Sequence, residues 1–206
     1  MTLLLGSGAL QFGVFTLKSG RESPYFFNLG AVTRGQGIIT LGRCYARALL
    51  DSAWGFDVVF GPAYKGIPIA TAAAVALFER GCNTSIAYNR KEAKDHGEGG
   101  KLVGEVRGKR VVIVDDILTA GTAARQSIDL LRAEGAEVVG LLVALDRQEV
   151  GSDGRSATEA LAADYAVPVE SVARFDDVIA CVREQGNPDQ LKALVAYRAQ
   201  FGRDGE

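Results

Sequence analysis

The segment Val111-Val-Ile-Val-Asp115-Asp116-Ile117-Leu118-Thr119-Ala120-Gly121-Thr122-Ala123 sets two adjacent carboxylates and a loop of small and hydroxyl residues directly after a β-branched run. A continuous apolar run of this kind is the pattern of a buried parallel strand. Ligands of open α/β sheets bind at the carboxyl ends of such strands. Asp115 and Asp116 can accept hydrogen bonds from a diol, or approach a divalent cation. The loop Thr119 to Ala123 can cradle a phosphate with backbone N–H groups at the start of the next helix and with the hydroxyls of Thr119 and Thr122. A diol and a phosphate in that order describe a ribose 5-phosphate. The same residues can also form only a turn and a helix cap; the complete ordered string favours the ligand site.

Three other segments carry polar chemistry. Gly61-Pro-Ala-Tyr64-Lys65-Gly66 also follows a strand pattern and opens a helical one. Its backbone N–H groups and Lys65 suit an anion, although an ordinary strand-to-helix turn with a solvated lysine has the same composition. Tyr88 to Gly100 holds Arg90, Lys91, Lys94 and His96 among three glycines and has no apolar face. It is expected to pack neither as a helix nor as a strand, and reads as a mobile lid or a solvated hairpin tip. Cations on a lid would stabilise a departing polyanion away from water. Phe15 to Asn28 reads as a hairpin around Lys18-Ser-Gly-Arg21, with Phe26-Phe27 as core.

The elements that must position these groups alternate between strand and helix patterns, which predicts a mostly parallel sheet covered by helices. Strands are expected at Phe12–Leu17, Tyr25–Leu29, Val58–Phe60, Ser85–Tyr88, Arg110–Val114, Val138–Leu145 and Val167–Val169. Helices are expected at Gly37–Leu50, Ile67–Glu79, Ala124–Glu134, Phe175–Gln185 and Asp189–Phe201, the last with Pro188 in its first turn. Gly202 to Glu206 are expected to be disordered.

The chain has 206 residues, 48% of them apolar, which suits one domain with a real core, or one domain with a small appendage. A net charge of −2 and a pI near 5.6 argue against a general grip on nucleic acid. Three distant cysteines, Cys44, Cys82 and Cys181, suggest neither a disulfide framework nor a zinc site, and point to a reduced, cytoplasmic protein. His96 is the one histidine, which rules out a multi-histidine metal site. No apolar stretch reaches the ~18 residues of a membrane span, and the first residues lack the basic leader of a signal peptide.

The string Asp115 to Ala123 resembles the phosphoribosyl-diphosphate (PRPP) signature of type I phosphoribosyltransferases, and Gly61 to Gly66 resembles their diphosphate loop in position and composition. Within that family the chain is similar to the orotate phosphoribosyltransferases from about Phe12 to Tyr197. The strings that carry this are Lys18-Ser-Gly-Arg21 with Ser23-Pro-Tyr-Phe26, the lid Arg90 to Gly100, and Leu145-Asp-Arg-Gln148. The resemblance implies an α/β fold with a mostly parallel central sheet, forming a single domain over 1–206. It also implies a small hood, made by about 1–34 and the C-terminal part, and a flexible catalytic loop at 91–106. It implies conversion of PRPP and orotate to orotidine 5′-phosphate and diphosphate. Mg²⁺ would be carried by PRPP rather than by protein ligands, and a homodimer would share its active sites.

Residue by residue, Lys18 would sit over the reacting centre and contact PRPP, and Phe26 and Phe27 would supply the orotate pocket by backbone contacts and stacking. Tyr64 and Lys65 would bind the diphosphate. Arg90, Lys94 and His96 would reach the neighbouring subunit's site, with Lys91 serving the site beside them. Asp115, Asp116, Ile117, Leu118, Thr119, Ala120, Gly121, Thr122 and Ala123 would hold the ribose phosphate, and Thr119 and Arg147 would touch orotate. Catalysis would fall to Lys94, His96, Lys18, Asp115 and Asp116. The guanidinium of Arg147 has the geometry for that last contact, since its planar fork matches a carboxylate. Met1 to Ala9 are shorter than the amphipathic helix that opens other members, which puts the N-terminal packing in question. The competing expectations are a purine or uracil phosphoribosyltransferase, a PRPP-binding regulator without catalysis, and one half of a fusion with the decarboxylase that follows; a stand-alone enzyme is favoured.

Overall fold

The structure is a computed structural model that describes residues 1–17, 20–94, 100–118, 121–151 and 154–202. Four parallel crossovers build its sheet. Strands β3 (Val58–Gly61), β4 (Ser85–Lys94), β6 (Arg110–Ile117), β7 (Glu137–Asp146) and β8 (Val169–Arg174) run parallel, and β5 (Gly100–Val103) lies antiparallel against β4 at one edge. The spatial order is β5-β4-β3-β6-β7-β8. A separate antiparallel pair joins β1 (Leu10–Thr16) to β2 (Glu22–Phe27).

The sheet's two faces bury two sets of side chains, because residues alternate across a strand with period two. On β6, Val112 and Val114 join the core formed with α2 (Gly35–Asp51), α3 (Gly66–Phe78), α6 (Phe175–Gln185) and α7 (Pro188–Phe201). Val111 and Ile113 join the opposite core with α4 (Thr122–Ala133) and α5 (Ala157–Tyr165). β1, β2 and the short helix α1 (Thr2–Gly6) pack on the first core: Leu4, Leu10, Tyr25 and Phe27 are buried, with Met1, Leu3 and Leu5 against them. The N-terminus, though short, therefore has a helix and a packed apolar face.

The mostly parallel sheet is as expected. Five local expectations are corrected. Residues 91–94 and 100–103 are strand, with Tyr88 opposite Val103 and Lys94 opposite Gly100, although this segment has no apolar face. An edge strand needs one backbone partner and no buried side, so polarity did not exclude it. Helix α5 was not expected, yet Ser156 and Glu159 close a reciprocal capping box at its start. The last strand runs Val169–Arg174 rather than Val167–Val169; Val167 instead fills the core. Leu29 begins a 3₁₀ turn, Leu29–Ala31, that Asn28 caps through its side chain, so β2 ends at Phe27. At the C-terminus Gly202 is ordered, bridging to Glu149, while 203–206 lie outside the described residues. No helix is long and apolar enough to cross a membrane among the described residues.

Candidate active site

Strand β6 extends past its apolar run and carries both carboxylates, so strand alternation sends them to opposite faces of the sheet. Asp116 is buried and points toward α3, where its Oδ2 lies 2.6 Å from Lys65 Nζ. Its Oδ1 accepts the Ile117 N–H at 2.8 Å. Asp115 Oδ1 accepts the Asp116 N–H at 2.9 Å, and its backbone carbonyl accepts the Tyr45 hydroxyl at 2.7 Å. Tyr45 is fully buried on α2, and burial followed by the charges of Asp115 and Asp116 raises its pKa, so it stays a donor. The strand end is thus tied to α2 by one hydroxyl and to the α3 loop by one ion pair.

Burial and then the Asp116 charge push the Asp115 carboxyl up to about 6, against the Asp116 N–H and Lys65, which lower it. Its folded-state value exceeds the ordinary 3.8, so folding takes up a proton between the two values. The stability contributed by the protonated form is lost as pH rises through the higher value. Asp115→Asn is therefore expected to be more stable than the parent by about 1–2 kcal/mol near pH 7.5, the partial exposure of the site reducing the full shift. Near pH 4 the two should melt alike in urea; an equal difference at both pH values would show that the carboxylate charge is not the cause.

The diphosphate-loop candidate follows β3. A Cβ on Gly61 would lie 2.1 Å from the Gly66 carbonyl oxygen, and one on Gly66 would lie 2.5 Å from Pro62 Cδ. Only glycines allow α3 to begin this close to the strand end. Asn89 on β4 fixes the loop by accepting the Ala63 N–H on its Oδ1 at 2.8 Å, and the Ala63–Tyr64 peptide is cis. Tyr64 is well exposed, and no side chain caps α3. At the β6–α4 turn Gly121 is left-handed at φ +73, no side chain caps α4, and its first turn has no acidic residue. Among the described residues no side chain caps the opening N–H groups of α4, which suits an anion site. Thr122 and Ala123 are exposed there, whereas Leu118 is buried and can offer a ligand only its backbone.

Arg147 stands one residue beyond the adjacent strand β7, whose Leu145 pairs with Ile117. Its side chain is 10% exposed and is held on three sides. The Tyr25 ring lies 4.3 Å beneath the guanidinium, Nη2 donates to Ser23 Oγ at 3.2 Å, and Nε donates to Glu149 Oε1 at 2.7 Å. Burial opposes the Arg147 charge, but Tyr25 and Glu149 outweigh it and its pKa is raised. Gln148, at φ 52, anchors the turn by exchanging two hydrogen bonds with Asp176 at the start of α6. Phe26 and Phe27 point to opposite faces of β2. Phe27 is in the core, while Phe26 is exposed and stacks on Phe15 at 5.5 Å, so the two rings cannot line one pocket together.

Lys18, His96, Thr119 and Ala120 lie outside the described residues; Arg90, Lys91 and Lys94 sit on β4 beside Asn89. The structure brings Lys65, Asp115, Asp116, Gly121 and Arg147 to the carboxyl ends of neighbouring parallel strands. Tyr45, Asn89, Ser23, Tyr25, Glu149 and Tyr197 support them and were not foreseen. Of these, Ser23, Tyr25 and Asn89 lie inside strings already singled out.

Among the described residues no three His, Cys, Asp or Glu side chains gather to hold a metal ion. The donors at this site are two carboxylates, one already paired with Lys65. That set fits a Mg²⁺ that keeps its waters and takes its other oxygens from a substrate.

A family model for the phosphoribosyl transferase domain matches residues 28–163, which spans β3 to α5 and both anion loops. An orotate phosphoribosyltransferase of Thioalkalivibrio sulfidiphilus is 53% identical over 204 residues, covering 98% of this chain and 96% of that one. The crystal structure of an orotate phosphoribosyltransferase from Francisella tularensis superposes with a TM-score of 0.87 at 36% identity, covering 98% of each chain. One from Mycobacterium tuberculosis, solved in complex with PRPP, gives 0.65 at 28% identity over 85% of this chain and 94% of that one. The chain belongs to the phosphoribosyl transferase family, and within it to the orotate phosphoribosyltransferases. The hairpin β1–β2 and helices α6 and α7 lie outside the span of the family model, and they complete the surroundings of Arg147 that Glu149 begins.

Proposed function

We propose that the chain transfers the 5-phosphoribosyl group of PRPP to orotate, giving orotidine 5′-phosphate and diphosphate in the synthesis of UMP. The observation that carries this is one arrangement at the strand ends: the Lys65–Asp116 pair and an uncapped helix beside a buried guanidinium on the adjacent strand. The first two suit a sugar phosphate and the third suits a planar carboxylate. Asp115 and Asp116 hold the ribose hydroxyls. Gly121, Thr122 and Ala123, with Thr119 and Ala120 and the backbone of Ile117 and Leu118, hold the 5-phosphate. Tyr64 and Lys65 hold the diphosphate, Arg147 and Thr119 meet orotate, and Phe26 and Phe27 border it, Phe27 through its backbone.

The bond from the anomeric carbon to the diphosphate oxygen breaks, and a bond to the orotate nitrogen forms. Lys18, Lys65, Lys91, Lys94 and His96 supply cationic charge at the leaving group, Arg90 extends the diphosphate site, and the Asp pair faces the positive charge that develops on the sugar. Mg²⁺ carried by PRPP would supply further neutralisation of the leaving group, with the carboxylates of Asp115 and Asp116 as the nearest protein oxygens and Lys65 beside them as a second cation. The hairpin with α6 and α7 forms the hood over this site, and the β4–β5 edge carries the lid residues.

A homodimer is the second part of the proposal. What supports it is a groove of about 390 Å³ between α2 and α3, lined by Ile38, Ile39, Ile67, Pro68 and Val75. Exposed Phe78 continues this apolar face, which starts directly after Lys65. A second copy seated there would bring its own lid near this site. Sedimentation is expected to give twice the 21.8 kDa chain mass, and Val75→Asp with Phe78→Asp to give monomers. A wild-type monomer at assay concentration would refute the shared site. The three cysteines are free, which suits a cytoplasmic location. The reaction itself is tested by loss of orotate absorbance with PRPP and Mg²⁺, each omitted in turn. Consumption that requires both supports the reading; PRPP binding without consumption would point to another acceptor base.

A further inference from the structure

We propose that Glu149 is the positioning residue for Arg147, holding the guanidinium by one edge so that its remaining amino group faces the carboxylate of the substrate. The inference rests on the reading of Arg147 as the group that receives orotate. Arg147 Nε donates to Glu149 Oε1 at 2.7 Å, and Nη2 forms an ion pair with the same oxygen at 2.6 Å. The same oxygen accepts the Tyr197 hydroxyl from α7 at 2.8 Å, and Nη2 in turn donates to that hydroxyl at 3.4 Å. Ser23 Oγ accepts from Nη2 while donating to the Tyr25 carbonyl at 2.7 Å. Nη1 takes no hydrogen bond among the described residues, and the stacked Tyr25 ring closes one face. An arginine gripped along Nε and Nη2 can still bind a carboxylate end-on.

Charge arithmetic agrees. Glu149 Oε2 lies 3.4 Å from Arg21 Nη1, so two guanidiniums share one carboxylate and leave one positive charge for a monoanionic carboxylate to balance. Arg21 is held independently, over the Phe201 ring at 4.6 Å and by the Val150 carbonyl at 3.4 Å. Glu149 can therefore be altered without releasing the hairpin turn that leads to Lys18. A rival role is open to the same residue: as a stand-in for the substrate carboxylate, it would compete with orotate. The two roles give opposite signs, and the occupied edge decides between them, because Glu149 leaves Nη1 accessible.

The test is steady-state kinetics of Glu149→Gln, alone and combined with Arg147→Ala. Loss of a charge-assisted hydrogen bond is expected to raise the orotate KM roughly tenfold. The PRPP KM and kcat should stay within about twofold, and Arg147→Ala should abolish the effect of E149Q on orotate. An unchanged or lowered orotate KM, an equal rise for PRPP, or a full effect in the Arg147→Ala background would overturn the proposal. Should E149Q melt below the assay temperature, Tyr197→Phe decides in the same assay. It keeps the ring packed against Phe175 and Tyr25 and removes only the hydroxyl; a raised orotate KM supports the role and an unchanged one overturns it. Wild-type protein that consumes no orotate would instead fail the assignment of the reaction.

Discussion

Arg147→Ala is expected to lower kcat/KM for orotate by about a hundredfold or more, the scale of truncating one partner of a buried, hydrogen-bonded charge pair. The effect should be confined to the acceptor. PRPP binding, followed by calorimetry without orotate, should change by less than about twofold, because the described groups proposed for PRPP lie on the β3–α3 loop, β4, β6 and the start of α4, whereas Arg147 is held by Ser23, Glu149 and Tyr197. A modest loss of stability accompanies the change, since Glu149 and Tyr197 lose the cation they surround. Arg147→Lys should recover little, because an ammonium cannot serve Glu149 along one edge and a planar carboxylate at the other. An Arg147→Ala enzyme with unchanged orotate KM and kcat would remove this residue from the site. It would also place the acceptor elsewhere than the space between β7 and the hairpin.

What could be read from the residues in order was the part of the fold that is local. The β3–α3 and β6–α4 units announce themselves by an apolar run, a small-residue loop and a helical pattern. Gly61 and Gly66 set the close approach of the first and Gly121 the left-handed turn of the second, all within the loop composition. The polar edge has no such signature, because an edge strand needs no apolar face. β4 and β5 show that a backbone ladder alone suffices at an edge. Helix α5 was overlooked although Ser156 and Glu159 stand at capping-box spacing. The surroundings of Arg147 were out of reach for a different reason. Ser23 is 124 residues away in sequence and Tyr197 is 50 away, and neither carries a local signature of pairing with a guanidinium. Tyr45 has the spacing of a core residue on α2, and it is one; the partner of its hydroxyl, 70 residues on, is set by tertiary packing alone.

The same division explains how the protein separates its two substrates. The segment matched by the family model carries all the groups proposed for PRPP except Lys18, together with Arg147 and Glu149, and the hairpin with α7 adds Ser23, Tyr25 and Tyr197 around Arg147. The donor half depends on strand ends and helix starts, which any member of the family can reuse. The acceptor half depends on side chains brought together by the hood, so changes in Ser23, Glu149 or Tyr197 can retune the acceptor without touching the sugar-phosphate grip.

Lys94→Ala is expected to reduce kcat by about a hundredfold to a thousandfold, the effect of removing one group that stabilises charge in the transition state. PRPP and orotate affinities should change much less, and a burst experiment must show that product release does not limit the variant. The position makes a strong test of the shared site. Lys94 lies on β4, which pairs with the edge strand β5, whereas Asp116 is the last residue but one of β6, on the far side of β3. If the edge hairpin closes over its own subunit, Lys94→Ala and Asp116→Asn inactivate different groups of separate sites, and mixing the two proteins restores nothing. If it closes over the partner, a heterodimer contains one site with both defects and one site with neither. Random exchange makes half of the dimers mixed, so about a quarter of the wild-type turnover should return once subunits have equilibrated. Recovery near that level assigns the lid to the neighbouring site. No recovery, with mixed dimers demonstrated by mass spectrometry, confines each lid to its own chain and leaves the apolar α2–α3 face as a purely structural contact.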